Sequence, residues 1–174
     1  MDNKLTVVSG GQTGVDRAAL DAALDAGLTC GGWCPLDRAA EDGPIAPRYK
    51  LRETASPDPA RRTLLNVRDA DVTLIIARGA LGGGTALAAR HAKLLARPCL
   101  VIDLAGTEDD GAHAARIIDW LGEERVRRLN VAGPRESGAP GIYHAALALL
   151  GPLFSTLSAQ SSPAGPAGRK PIIF

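Results

Sequence analysis

The chain has 174 residues, 45% hydrophobic and 22% charged, which is the size and composition of one globular domain and not of a disordered chain. Aromatic residues are scarce, two each of Phe, Tyr and Trp, and the formal net charge is +1, so neither base-stacking platforms nor a global field would draw nucleic acid or an anionic membrane. Three cysteines (Cys30, Cys34, Cys99) at no zinc-like spacing, no signal-peptide core and no run of about 18 apolar residues point to a cytoplasmic location.

Leu5–Ser9 (LTVVS) is a β-branched apolar run ended by Gly10 and Gly11, which predicts a buried strand. From Val15 onward, Ala18, Ala19, Ala22, Ala23 and Ala26 recur at helical spacing and Gly27 supplies the stop. A second strand is expected over Thr29–Trp33, a long loop rich in Pro, Gly and charge over 35–48, and a third strand over Tyr49–Thr54. Pro59–Arg68 reads as a short helix, and Val72–Ala77 (VTLIIA) is the clearest strand in the chain. Gly82–Gly84 and Thr85 open a helix that Pro98 ends near Ala96. Cys99–Asp103 is the next strand and Asp109–Leu121 the next helix. Leu129–Ala132 is the last strand, and a final helix follows Gly133 and Pro134 to about Leu153.

Strand–helix alternation with unbroken apolar strands gives an α/β class: a Rossmann-like three-layer sandwich around a mainly parallel sheet of about six strands. The expected order is 3-2-1-4-5-6, with the first and fourth strands side by side at the ligand-binding switch point. One ligand-binding domain is expected over 1–155, then a disordered tail rich in Ser, Pro, Ala and Gly over 156–174.

Five places carry candidate chemistry. Gly10-Gly11-Gln12-Thr13-Gly14 follows the first strand and opens a helix, as Gly82-Gly83-Gly84-Thr85 does after the fourth. Two such turns facing one crevice would present opposed N–H walls to an anion. The structural alternative is a pair of tight turns, with Thr13 and Asp16 forming a capping box and Thr85 an N-cap. In the loop after the second strand, Trp33 offers a stacking ring and Arg38 a bidentate partner for an anion. Their alternatives are a core plug and pairing with Glu41 and Asp42, and for Cys34 the inert thiol is preferred. Arg62, Thr63 and Asn66 share one helix face, in a stretch where six arginines and lysines between Arg48 and Arg68 oppose Glu53 and Asp58. Arg135 lies in the polar loop after the last strand, beside Glu136 and Ser137. His91, His113 and His144 show no paired-ligand spacing, so no metal site is expected, and without a G-x-S-x-G elbow no serine triad is either.

The segments SGGQTGVDRAALDAAL, GGWCPLDRAAEDGPI, YKLRET, RTLLNVRDAD, LGGGTAL and LNVAGPRES with PGIY resemble the bacterial molybdenum carrier family. That family sits among Rossmann-like proteins related to molybdenum cofactor carriers and to lysine decarboxylase-like phosphoribohydrolases. The resemblance covers roughly residues 5–153 and implies a cytoplasmic homo-oligomer, dimer or tetramer, with a molybdoenzyme as recipient. Its ligand would be molybdenum cofactor, molybdate or a phosphorylated nucleotide-like anion. The related hydrolases carry P-G-G-x-G-T-x-x-E, and Ala88 stands here where that Glu would be, which favours a binding protein over an enzyme. A nucleoside-monophosphate phosphoribohydrolase, with Asp16, Glu41 or Asp42 as the acid, and an ADP-ribose-type sensing module are the alternatives.

Overall fold

The computed structural model describes residues 5–124 and 126–161. Five strands form the central sheet: β1 (Thr6–Val8), β2 (Thr29–Gly31), β7 (Val72–Ala77), β8 (Cys99–Asp103) and β9 (Arg128–Ala132). Every pairing within it is parallel, and the order across it is β2-β1-β9-β7-β8. Helices α1 (Val15–Asp25), α2 (Pro59–Asp69), α3 (Gly83–Leu94), α4 (Asp110–Glu124) and α5 (Ile142–Ser161) supply the outer layers. Four two-residue strands lie between β2 and α2, in pairs β3 (Trp33–Cys34) with β6 (Arg52–Glu53) and β4 (Ala39–Ala40) with β5 (Gly43–Pro44).

Alternation along β7 separates the two faces. Val72, Leu74 and Ile76 join the larger core with α1, α4 and α5, while Ile75 and Ala77 pack with Val67 of α2 and Ala88 and Ala92 of α3. The alanine stripe of α1 (Ala18, Ala19, Ala22, Ala23) is buried as its spacing predicts, and α5 packs directly on that helix. Ile142–Gln160 of α5 is long and apolar enough to cross a membrane, but Ile142, Ala146, Leu149, Leu150, Leu153 and Phe154 are buried in this core.

The α/β class and three layers agree with expectation, but the strand order does not. The sixth predicted strand, β9, lies between the first and fourth, so β1 and β7 are not neighbours. Counted from β9, the order reads 3-2-1-4-5. This is a doubly wound sheet whose first strand–helix unit, β9–α5, stands at the end of the chain. A short strand whose faces are both apolar fits any central position, so composition could not place β9. The third predicted strand is also absent from the central sheet. Only Arg52–Glu53 pairs, and it pairs with β3 beyond the Gly32 bend, where φ is +129°. Finally, α5 runs to Ser161, past the expected end near Leu153 and into the proposed tail; residues 162–174 lie outside the described residues.

Candidate functional site

Ser9 follows β1, and its buried hydroxyl donates to the Val131 carbonyl at 2.8 Å, joining the ends of β1 and β9. At Gly10, a Cβ would lie 1.4 Å from Arg62 Nη1 and 2.8 Å from Asp16 Oδ2. Only glycine lets the guanidinium lie across this strand end. Arg62 comes from α2 and Asp16 from the first turn of α1, and they pair at 2.6 Å with side chains 14% and 6% exposed. Arg62 Nε is buried and has no hydrogen-bond partner among the described residues. An unmatched guanidinium N–H out of water is costly, which makes it the donor here with most to gain from an acceptor.

That guanidinium borders two spaces. One, about 40 Å³, lies between Arg62, Thr63 and Asn66 of α2, Gly84 and Ala88 of α3, and the end of β9 from Asn130 to Gly133. A few water-sized groups fill it. The other, about 170 Å³, shares Gly10 and Arg62 and is walled by Gln12, Pro35, Ala39, Ala40, Pro57 and Pro59. Its walls are mostly apolar, so it suits a larger organic body.

The α3 turn is open. Gly82, Gly83 and Gly84 are exposed, and a Cβ on any of them would meet nothing within 4 Å. Gly82 is the N-cap and no side chain caps it; Thr85 is buried, its N–H directed to the Gly82 carbonyl at 3.1 Å. The α1 turn is closed. Gln12 N–H donates to Asp16, Thr13 N–H to the Gln12 side chain, and Val15 N–H to the Pro134 carbonyl. Gly11 and Gly14 sit where a Cβ would come within 2.6 Å of Leu51 Cδ1 and 2.4 Å of the Pro134 carbonyl oxygen. The expected opposed N–H walls are therefore one open helix terminus and one guanidinium. The capping box is not formed either: the N-cap is Gly14, and Thr13 Oγ1 donates to Glu41.

Other predicted residues have structural posts. Arg38 donates to the carbonyls of Ile45, Ala46, Tyr49 and Leu51, so its guanidinium holds the 45–51 loop rather than the crevice rim. Trp33 lines neither space, and its indole N–H donates to Asp69 at 2.8 Å. Asn66 lines the crevice but is bonded on both amide atoms to the Trp33 backbone, at 2.7 and 2.9 Å. Arg135 is 61% exposed and lies 3.7 Å from Glu41. Cys34 is buried and its thiol is pushed up by desolvation, in keeping with an inert role.

Sequence reasoning set Gly133 among the glycines facing the crevice, which it lines, but did not select Asn130 as a site residue. Asn130 is buried between apolar neighbours and bonds Thr73 at 3.2 Å, so a polar residue within LNVA was the available signal. A Cβ on Gly133 would meet the Ile76 carbonyl at 2.4 Å, a closeness that exists only once β9 lies beside β7.

Residues 7–154 match the sequence profile of the circularly permutated YpsA SLOG family. A crystal structure from Syntrophus aciditrophicus SB, described as a putative molybdenum carrier protein, is 42% identical with a TM-score of 0.83, over 88% of this chain and 96% of that one. No curated protein matches the chain.

Proposed function

The chain belongs to the circularly permutated YpsA SLOG family, and on that premise we propose that it binds and carries a small organic anion, molybdenum cofactor or a phosphorylated nucleotide-like molecule, in this crevice. The observation that carries the reading is the buried, unpartnered Arg62 Nε beside the open first turn of α3. A phosphate there would complete the guanidinium and meet the positive end of a helix. The flat body of the ligand would occupy the proline-walled space, which favours an organic anion over bare molybdate. Among the described residues no three His, Cys, Asp or Glu side chains gather to hold a metal ion, so molybdenum would travel as an oxyanion or within the organic ligand. Cytoplasmic transfer to a molybdoenzyme, from a dimer or tetramer, completes the proposal.

Ala88 weakens the hydrolase alternative. It is fully buried in the crevice wall, and the nearby carboxylate, Asp16, is engaged by Arg62 and Gln12. Glu41 and Asp42 line neither space.

Thermal unfolding with molybdate, tungstate, mononucleotides, ADP-ribose and extracted cofactor tests the proposal. A ligand at 100 times its Kd adds about 2.7 kcal/mol of stability. In Gly84→Asp this gain should vanish with little change in the Tm of the protein alone, since the side chain enters open space and its charge suits the helix N-terminus. A panel without response, or a Gly84→Asp protein that responds like the parent, removes the crevice from consideration.

A further inference from the structure

The loop that follows β9 supplies a cluster of donors that the crevice does not use. In the doubly wound order this loop is the first strand–helix turn, the position at which such sheets hold an anionic ligand. Here its donors converge on a carboxylate of the same chain. Glu41 Oε1 accepts the Ser137 backbone N–H at 3.1 Å and the Thr13 hydroxyl; Oε2 accepts the Ser137 hydroxyl at 2.5 Å and lies 3.7 Å from Arg135 Nε. The Thr13 hydroxyl is itself oriented, because it accepts the Glu136 N–H at 3.2 Å. One N–H, two hydroxyls and a guanidinium around two oxygens form the donor set that a carboxylate or phosphate terminus requires.

The bearer of that carboxylate is held chiefly at its tip. Glu41 and Asp42 form the tip of the β4–β5 hairpin, whose ladder is only Ala39–Pro44 and Ala40–Gly43. Asp42 and Glu41 anchor the tip by charge, Asp42 to Arg17 at 3.1 and 3.2 Å, and the Glu41 N–H donates to the Gln12 side chain at 2.9 Å. Ala39 and Ala40 of the same hairpin wall the larger space beside Arg62. A two-rung ladder has little stability of its own, so the tip contacts decide where the hairpin sits.

We propose that Thr13, Arg135 and Ser137 form a second anion-binding subsite, which Glu41 fills as an internal stand-in for the carboxylate or phosphate terminus of a ligand. Entry of such a terminus displaces the Glu41 carboxylate and leaves the tip of the hairpin that walls the larger space on its Arg17 and Gln12 contacts alone. A ligand reaching from the α3 turn to this subsite carries an anionic group at each end; that last statement alone rests on the crevice reading.

The test is chemical rescue in a Gly84→Asp background, where binding at the α3 turn is blocked. Glu41→Ala should lower the Tm, and sodium acetate or inorganic phosphate, at ionic strength matched with chloride, should restore it saturably. Acetate reports a carboxylate-sized subsite and phosphate a tetrahedral one, and rescue by either supports the proposal. The parent Gly84→Asp protein should not respond, and adding Thr13→Val and Ser137→Ala should abolish the rescue. Absence of rescue, or equal rescue without those donors, overturns it. Should Glu41→Ala not fold, phosphate is titrated into Glu41→Gln while the amide resonances of Thr13 and Ser137 are followed. A saturable shift of the Ser137 amide in this variant but not in the parent supports the subsite, and stationary resonances overturn it.

Discussion

The turns at 10–14 and 82–84 look alike in sequence and differ in what their glycines are for. At Gly10, Gly11 and Gly14 an added Cβ would approach another atom within 1.4, 2.6 and 2.4 Å, whereas at Gly82, Gly83 and Gly84 it would meet open space. In the first turn, glycine allows close packing of Arg62, Leu51 and the Pro134 backbone. In the second, it leaves the helix terminus bare. Glycine-rich strand–helix turns thus carry two separate pressures, and only the second leaves a helix terminus open.

The strongest way to break this comparison is Gly14→Ala. Gly14 has φ +75° and ψ −132°, a region that side-chain-bearing residues avoid, and the new Cβ would meet backbone that has little freedom to move. Strain and overpacking together predict a loss of about 3 kcal/mol or more, read as a lowered midpoint in urea or guanidinium titration. Gly84→Asp in the same titration should fall within about 0.5 kcal/mol of the parent. If the two variants were equally stable, the packed and open turns would not be different in kind.

A smaller effect separates backbone from side chain within the closed turn. Arg62→Met leaves Asp16 buried without its cation, and loss of one partner of a buried pair costs about 3 kcal/mol, less here because the arginine remains partly exposed. The nearest neighbour of a Gly10 Cβ is the end of the Arg62 side chain, so Gly10→Ala acts mainly by displacing Arg62. The double variant should therefore cost less than the sum of the two single ones. Additive losses in a double-mutant cycle would show that Gly10 serves something other than the guanidinium.

The same distinction explains how much was legible beforehand. The strand Val72–Ala77, the alanine stripe of α1 and the helix opening at Gly82–Gly84 are local patterns, and each emerged where its residues predict. Local patterns also singled out Gly10, Arg62, Asn66 and Gly84, which line one crevice. The position of β9 is not local: Leu129 and Asn130 pair with β1 on one side and β7 on the other, and nothing within the strand names those partners. Likewise an arginine in a polar loop reads as a free cation, yet Arg38 has φ +53° and is used by the carbonyls its own loop turns inward. Other donors are spent on contacts much farther along the chain, such as Thr13 with Glu41, 28 residues apart.

The least effect, and the finest test, concerns that contact between the closed turn and Glu41. The Ser137 and Thr13 hydroxyls hold the Glu41 carboxyl below its ordinary range. Between that lowered value and the ordinary glutamate value near 4.3, the unfolded chain binds the proton and the folded chain does not. Glu41 therefore stabilises the fold fully above about pH 4.3, and its contribution is lost as pH falls through the folded value. Glu41→Gln keeps the shape and removes the titration. The parent should exceed it by roughly 0.5 kcal/mol at neutral pH, since Glu41 is exposed and solvent screens its contacts, with the gap constant down to roughly pH 5 and narrowing in acid as the parent protonates. A gap that widens toward low pH would mean that the carboxyl is held in its neutral form. The donors around it would then be no cradle for an anion, and the hairpin tip would belong with the inert packing of the closed turn.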